Sequence, residues 1–209
     1  MTPTGLRERK KRETRLALSQ AAIRLCVLHG WAEVTIDRIA AEAEVSVRTF
    51  RNYFGSKAEA IAASHVERML RIGDDLLARP GDEPLWDALL QATLSQFAPP
   101  HGAAPPQNER WREGVRLMLA EPALAGEMVK ANAAAQEQLA EAVARRTGTD
   151  PRRDVYPTLV AAVVAAGSAV AVEHSLRADG PAPLGALLAQ VFEQLAAGLP
   201  APIAAPEEA

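Results

Sequence analysis

Arg48, Thr49, Arg51, Asn52 and Tyr53 crowd into the run SVRTFRNYFGSK, which opens with Ser46 and Val47 and closes on Lys57. These residue types can read nucleic-acid base edges. Arginine forks onto the O6 and N7 of guanine, asparagine pairs with adenine, and a threonine methyl meets the thymine methyl. Tyr53 can donate to a phosphate, and so can Lys57 and the backbone N–H groups of helices opened at Thr35 and Ser56. Taken singly, each of these residues is equally at home on a solvated charged face.

Chemistry of this kind needs a helix that turns one face inward and the other out. At about 100° per residue, Phe50 and Phe54 fall within about 40° of each other, so they are the inward anchors. Arg48 and Asn52 then point the opposite way, with Thr49, Arg51 and Tyr53 on the flanks. Thr35 can cap a short helix with Asp37 in its first turn and Ile36, Ile39, Ala40 and Ala43 as its buried stripe. Ser46 can cap the next helix after a three-residue turn. Helices over 35–42 and 46–54 make a helix-turn-helix. Ser56 and Glu59 have capping-box spacing and open a further helix that runs to about Ala78.

Before this unit, Leu18, Ala21, Ala22, Leu25 and Leu28 recur at helical steps, giving a first helix from Leu6 to about His29, ended by Gly30. Residues 1–5 are expected to be disordered. Beyond Arg79-Pro80-Gly81, helices are expected from Pro84 towards Pro99, over about 108–120, from Pro122 to Arg146, from Asp150-Pro151 to near Gly180, and over about 184–198. Residues 99–107 read as a connecting loop and LPAPIAAPEEA as a flexible tail. No segment has strand periodicity, so the chain is all-α.

Charge divides the chain. Residues 1–59 carry 11 Lys/Arg against 7 Asp/Glu, whereas residues 60–209 carry 12 against 19, so a basic head sits on an acidic body. That asymmetry suits contact with a polyanion at one end only. The single cysteine, Cys26, excludes an internal disulfide and reads as a buried thiol in a reducing cytoplasm. No signal peptide is evident. The run VYPTLVAAVVAAGSAVAV, 155–172, falls short of a membrane span and reads as a buried helix.

The stretch from about residue 12 to 62 resembles the TetR family of bacterial transcriptional repressors. The resemblance is carried by Gly30-Trp31, Thr35, Ile39-Ala40, Val45-Ser46, Thr49, Tyr53-Phe54 and Ser56-Lys57. Two positions depart from the family's pattern, which often has glycine where this chain has Glu44 and Arg48. A non-glycine residue held in a left-handed turn costs about 1 kcal/mol. Arginine at position 48 adds a reaching side chain that should make the operator preference distinct.

The resemblance implies an N-terminal helix-turn-helix domain, 1–59, followed by a helical ligand-binding and dimerisation domain, 60–199, and a tail, 200–209. It implies a repressor that binds a near-palindromic double-stranded DNA operator as a homodimer and is released by a small effector. Candidate pocket residues are Trp86, Leu90, Thr93, Phe97, Trp111, Met118, Met128 and Asn132, any of which is also ordinary core packing. Their character suits a mainly apolar ligand. The C-terminal half also resembles TetR-type regulators that sense acyl-CoA, which implies an acyl-CoA-like effector. Arg110, Arg112 and Arg116 could meet an anionic end or simply face water. For a four-helix contact between two copies, the candidates are Val164, Gly167, Ser168, Ala171, Leu187, Val191 and Leu195.

No nucleophile elbow, P-loop, dinucleotide fingerprint, zinc spacing or HExxH is present. His65 and His174 read as lone surface or core histidines. No catalytic residue, metal, cofactor or membrane partner is therefore expected. The alternatives to a regulator are a helical small-molecule enzyme, or an interaction protein that keeps the fold without reading DNA. Arg48, Arg51 and Lys57 speak against the latter.

Overall fold

A computed structural model describes residues 3–97, 109–177 and 182–200. Among them lie nine helices and no strand: α1 (Pro3–His29), α2 (Ile36–Glu42), α3 (Val47–Tyr53), α4 (Lys57–Ala78), α5 (Leu85–Phe97), α6 (Glu109–Leu119), α7 (Pro122–Thr147), α8 (Val155–Ser175) and α9 (Leu184–Ala196). The helix begins at Pro3, where disorder to residue 5 was expected. The 99–107 loop and the tail beyond Pro200 lie outside the described residues.

Local signals set the helix starts. Thr35 Oγ1 accepts from Arg38 N at 3.3 Å, Ser46 Oγ from Thr49 N at 3.0 Å, and Ser56 Oγ from Glu59 N at 3.0 Å. Each satisfies an N–H that the first helical turn leaves unpaired. Glu59 completes the box one residue early: its carboxylate accepts from Gly55 N at 2.7 Å. The segment after Asp150 is a turn before it is a helix. Asp150 Oδ1 accepts from Arg152 N at 2.9 Å, and α8 begins only at Val155.

Two apolar cores share α4. The first gathers Leu18, Ala22 and Cys26 of α1, Ile39 of α2, Phe50 and Phe54 around α3, Ile61 at the head of α4, Met118 of α6, and Leu124 and Ala131 of α7. The second gathers Met69, Ile72 and Leu76 of α4 with Leu89 of α5, Leu139 and Val143 of α7, Val164 of α8, and Leu188 and Phe192 of α9. The switch falls between Ala63 and Met69 on α4 and between Ala131 and Ala135 on α7. Burial also raises the pKa of the Cys26 thiol, as desolvation disfavours the thiolate.

Close packing needs small residues at particular crossings. A Cβ at Gly114 would stand 2.2 Å from the Val27 carbonyl oxygen, so α6 can lie on α1 only with glycine there. Arg146 of α7 ties down the end of α4 and the connection that follows it. Its guanidinium donates to the carbonyls of Leu76, Arg79, Pro80 and Glu83 at 2.7–3.3 Å. That supplies partners to carbonyls left open where α4 ends.

By length and composition α8 could cross a membrane, which corrects the expectation that it is too short. Within this chain its inner side is core: Val160, Ala161, Val164 and Ala171 are buried.

Candidate nucleic-acid interface

α3 is divided as its wheel predicts. Phe50 and Phe54 are 0% and 1% exposed, their ring centroids 5.8 Å apart, and the Arg15 guanidinium of α1 lies 4.8 Å from the Phe54 ring centre. Arg48, Arg51 and Asn52 are exposed on the other side. Val47 and Tyr53 are half-buried against the first core, with the Tyr53 ring 6.5 Å from that of Phe54. The Thr49 hydroxyl lies 2.9 Å from Ser46 Oγ, which leaves its methyl as the contact it can offer a base. Ser46 is thus the cap that starts the helix, and Thr35 plays the same part for α2. Arg24 of α1 holds α2 in place through Glu42, with N–O distances of 2.5 and 3.1 Å.

Glu44 keeps the left-handed turn. Its φ is 54°, and the turn is closed by Glu44 N donating to Ala41 O at 3.0 Å and Val45 N to Ala40 O at 2.9 Å. These two bonds form a Schellman motif, whose left-handed position favours glycine because a Cβ crowds the backbone there. The turn has not been rebuilt around the glutamate, and the side chain is exposed.

Lys57 is placed otherwise than a free phosphate ligand would be. Its ammonium donates to the carbonyls of Trp31 and, at 2.9 Å, Val34, and it sits 4.4 Å from the centre of the Trp31 ring. Two of its three donors are therefore spent on bracing the head of α4 to the α1–α2 connection. A role for Lys57 was legible in the sequence; this architectural one was not.

The expected pocket residues do not converge on one cavity. Trp86 and Leu90 pack on the second core, Trp86 edge-on to Phe192 with centroids 6.4 Å apart. Met118 is buried in the first core, where Trp111 and Met128 also pack. Thr93 is fully buried, and its hydroxyl has no hydrogen-bond partner. Phe97 and Asn132 instead face a polar seam on α4 that the sequence did not single out. The Arg68 guanidinium lies 4.5 Å from the Phe97 ring centre, and His65, one turn earlier, faces Asn132. Burial and the Arg68 charge lower the His65 pKa to about 4, more than Asn132 offsets, and its Nε2 has no hydrogen-bond partner. The three arginines of α6 are solvent-facing or partly so, and Arg116 pairs with Glu113 at 2.6 Å.

Three of the expected dimer residues need correction. Val164, Ser168 and Ala171 are 0%, 3% and 1% exposed, so they have almost no surface left for a second copy. Gly167 receives α9 of its own chain: a Cβ there would meet Val191 Cγ1 at 2.6 Å and Leu195 Cδ1 at 3.4 Å. Leu187 likewise packs on the second core. The apolar surface that does face out of α8 is Val155, Tyr156, Leu159 and Val170. Among the described residues, no group of three or more His, Cys, Asp or Glu is placed to hold a metal.

Comparison with known proteins fits this geometry. Residues 18–63 match the family described as bacterial regulatory proteins, tetR family, and residues 83–200 match the MftR C-terminal domain. The chain is 32% identical over 182 residues to the HTH-type transcriptional regulator TcmR of Streptomyces glaucescens, covering 84% of this chain and 79% of that protein. It is 30% identical over 195 residues to a Mycobacterium tuberculosis protein assigned as a mycofactocin biosynthesis transcriptional regulator, MftR, covering 91% and 93%. In fold it is similar to the fatty acid degradation regulator FadR from Bacillus halodurans, with a TM-score of 0.56 at 18% identity over 89% of this chain and 96% of that one.

Proposed function

This chain belongs to the TetR family of bacterial transcriptional regulators, and from that premise we propose that it is a ligand-responsive repressor acting as a homodimer. The matched families and relatives are regulators, not enzymes. The observation that carries the reading is the division of α3: two phenylalanines are sealed into the core, while Arg48, Arg51 and Asn52 stand in solvent on the opposite face. A helix held rigidly from behind and furnished this way in front can enter a major groove.

Two copies would present two such helices to the half-sites of a near-palindromic operator. The outward apolar row on α8, with Val155 77%, Leu159 54% and Val170 48% exposed, supports a contact between copies, since such a row is costly in water. We assign DNA reading to residues 1–59 and effector binding and dimerisation to 60–199, in the cytoplasm. The effector is a small, mainly apolar molecule, with acyl-CoA-like ligands among the candidates. It would act by favouring a state whose recognition helices are wrongly spaced, and only by its difference in affinity between the two states. α4 suits the lever's part, because it enters both cores.

Selection of bound duplexes from random DNA tests the reading. The expected result is a two-half-site consensus, with Arg48→Ala weakening binding by about 1–3 kcal/mol and relaxing preference at one base position. Recovery of no consensus would refute it.

A further inference from the structure

The polar seam lies where the two cores part. On α4 the buried run of the first core ends at Ala63 and that of the second begins at Met69; on α7 the corresponding residues are Ala131 and Ala135. His65 and Arg68 fill the gap on one helix and Asn132 fills it on the other. Arg68 is only partly accessible, and loss of solvation lowers its pKa. Yet among the described residues it has neither a carboxylate within 4.0 Å nor a hydrogen bond.

Acids nearby in sequence are engaged elsewhere. Glu67 takes Arg12 at 2.8 Å and Arg71 at 3.2 Å. Asp75 accepts from Ser95 Oγ and Gln96 Nε2, both at 2.6 Å. Stacking on Phe97 satisfies one face of the guanidinium plane but none of its five in-plane N–H donors. His65 Nε2, one turn away, is buried and has no hydrogen-bond partner. A cation partly withdrawn from water and without a counter-charge is open to pairing with an anion. The apolar surroundings are equally specific. Phe97 covers the guanidinium, and Met128 lies one turn before Asn132 on the same face of α7.

We propose that this seam binds the anionic end of the effector, a carboxylate or phosphate oxygen group paired to Arg68 and hydrogen-bonded by His65 and Asn132, with an apolar body alongside Phe97 and Met128. The inference deepens the reading of residues 60–199 as effector-binding and rests on it. The anion would stand between the DNA-binding core and the body core, where a change in spacing along α4 reaches both.

The test measures binding of three ten-carbon probes to the full chain without DNA by calorimetry, each below its micelle concentration: decanoate, decyl phosphate and neutral decanol. One or both anions should bind about 10- to 100-fold more tightly than decanol. The preferred anion distinguishes a carboxylate from a phosphoryl ligand. Arg68→Met should remove the preference for charge, whereas Arg68→Lys should keep part of it. Arg68→Met should also melt at or above the wild-type temperature, because it removes a half-buried charge that has no counter-charge. Equal affinity for all three probes, binding of none, or an Arg68→Met protein that retains the preference would overturn the proposal. Because no DNA is present, failure here leaves operator reading standing, and failure to select an operator leaves this site standing.

Discussion

Replacing Glu44 by glycine should stabilise the protein by about 0.5–1 kcal/mol. The residue sits at φ 54°, and the two hydrogen bonds that close the turn, at 3.0 and 2.9 Å, do not involve its side chain. A side chain in this left-handed region costs roughly 1–2 kcal/mol, which glycine escapes. Against that, glycine makes the unfolded chain more flexible, which takes back about 0.4–1 kcal/mol. Glu44 is exposed and in no ion pair among the described residues, so little else changes. For a chain of this length the gain corresponds to roughly 1–4 °C in Tm. The assay is scanning calorimetry at one fixed protein concentration, since an associating protein melts in a concentration-dependent way. Glu44→Ala is the control, because it removes the carboxylate but keeps the Cβ. The alanine variant should gain nothing. Should glycine melt no higher than wild type, or alanine gain as much as glycine, the strain assigned to this turn is absent.

Other outcomes follow from the same geometry. Lys57→Ala should lower Tm, by losing bonds to two carbonyls and the contact with Trp31; an unchanged Tm with a salt slope of operator binding reduced by about 1 would make Lys57 a phosphate ligand instead. Leu159→Glu or Val170→Glu should yield a helical monomer in light scattering, and persistence of a dimer at micromolar concentration would place the interface elsewhere. His65 is held neutral when folded, with a pKa of about 4, but takes up a proton below about 6.5 when unfolded. Its contribution is therefore full above pH 6.5 and is lost as pH falls towards 4, by up to about 3 kcal/mol. Urea midpoints across that window should fall more steeply for wild type than for His65→Gln, and parallel curves would remove His65 as the cause.

Much of the DNA-facing half was legible because its determinants are local. Thr35, Ser46 and Ser56 cap helices by bonding N–H groups three residues on, a distance the chain sets without help from tertiary contacts. Helical periodicity placed Phe50 and Phe54 inward and, by subtraction, Arg48 and Asn52 outward. The same reasoning reached further than its warrant in the second half. An apolar residue on α8 must be covered, but periodicity does not say by which chain. Val164, Ser168 and Ala171 proved to be covered by their own.

The sequence by itself determined the nine helices' approximate places, the helix-turn-helix, and the sign of charge at each end. The first two follow from residues within a few positions of one another, and the third from composition alone. Only the tertiary structure decided what distant groups do for one another. Lys57 could be a free cation until Trp31 and Val34 close on it. Arg68 looks like one more surface charge of α4 until Phe97 covers it while the nearby acids pair elsewhere. Partnership and desolvation depend on which elements meet in space, and spacing along a chain does not encode that directly.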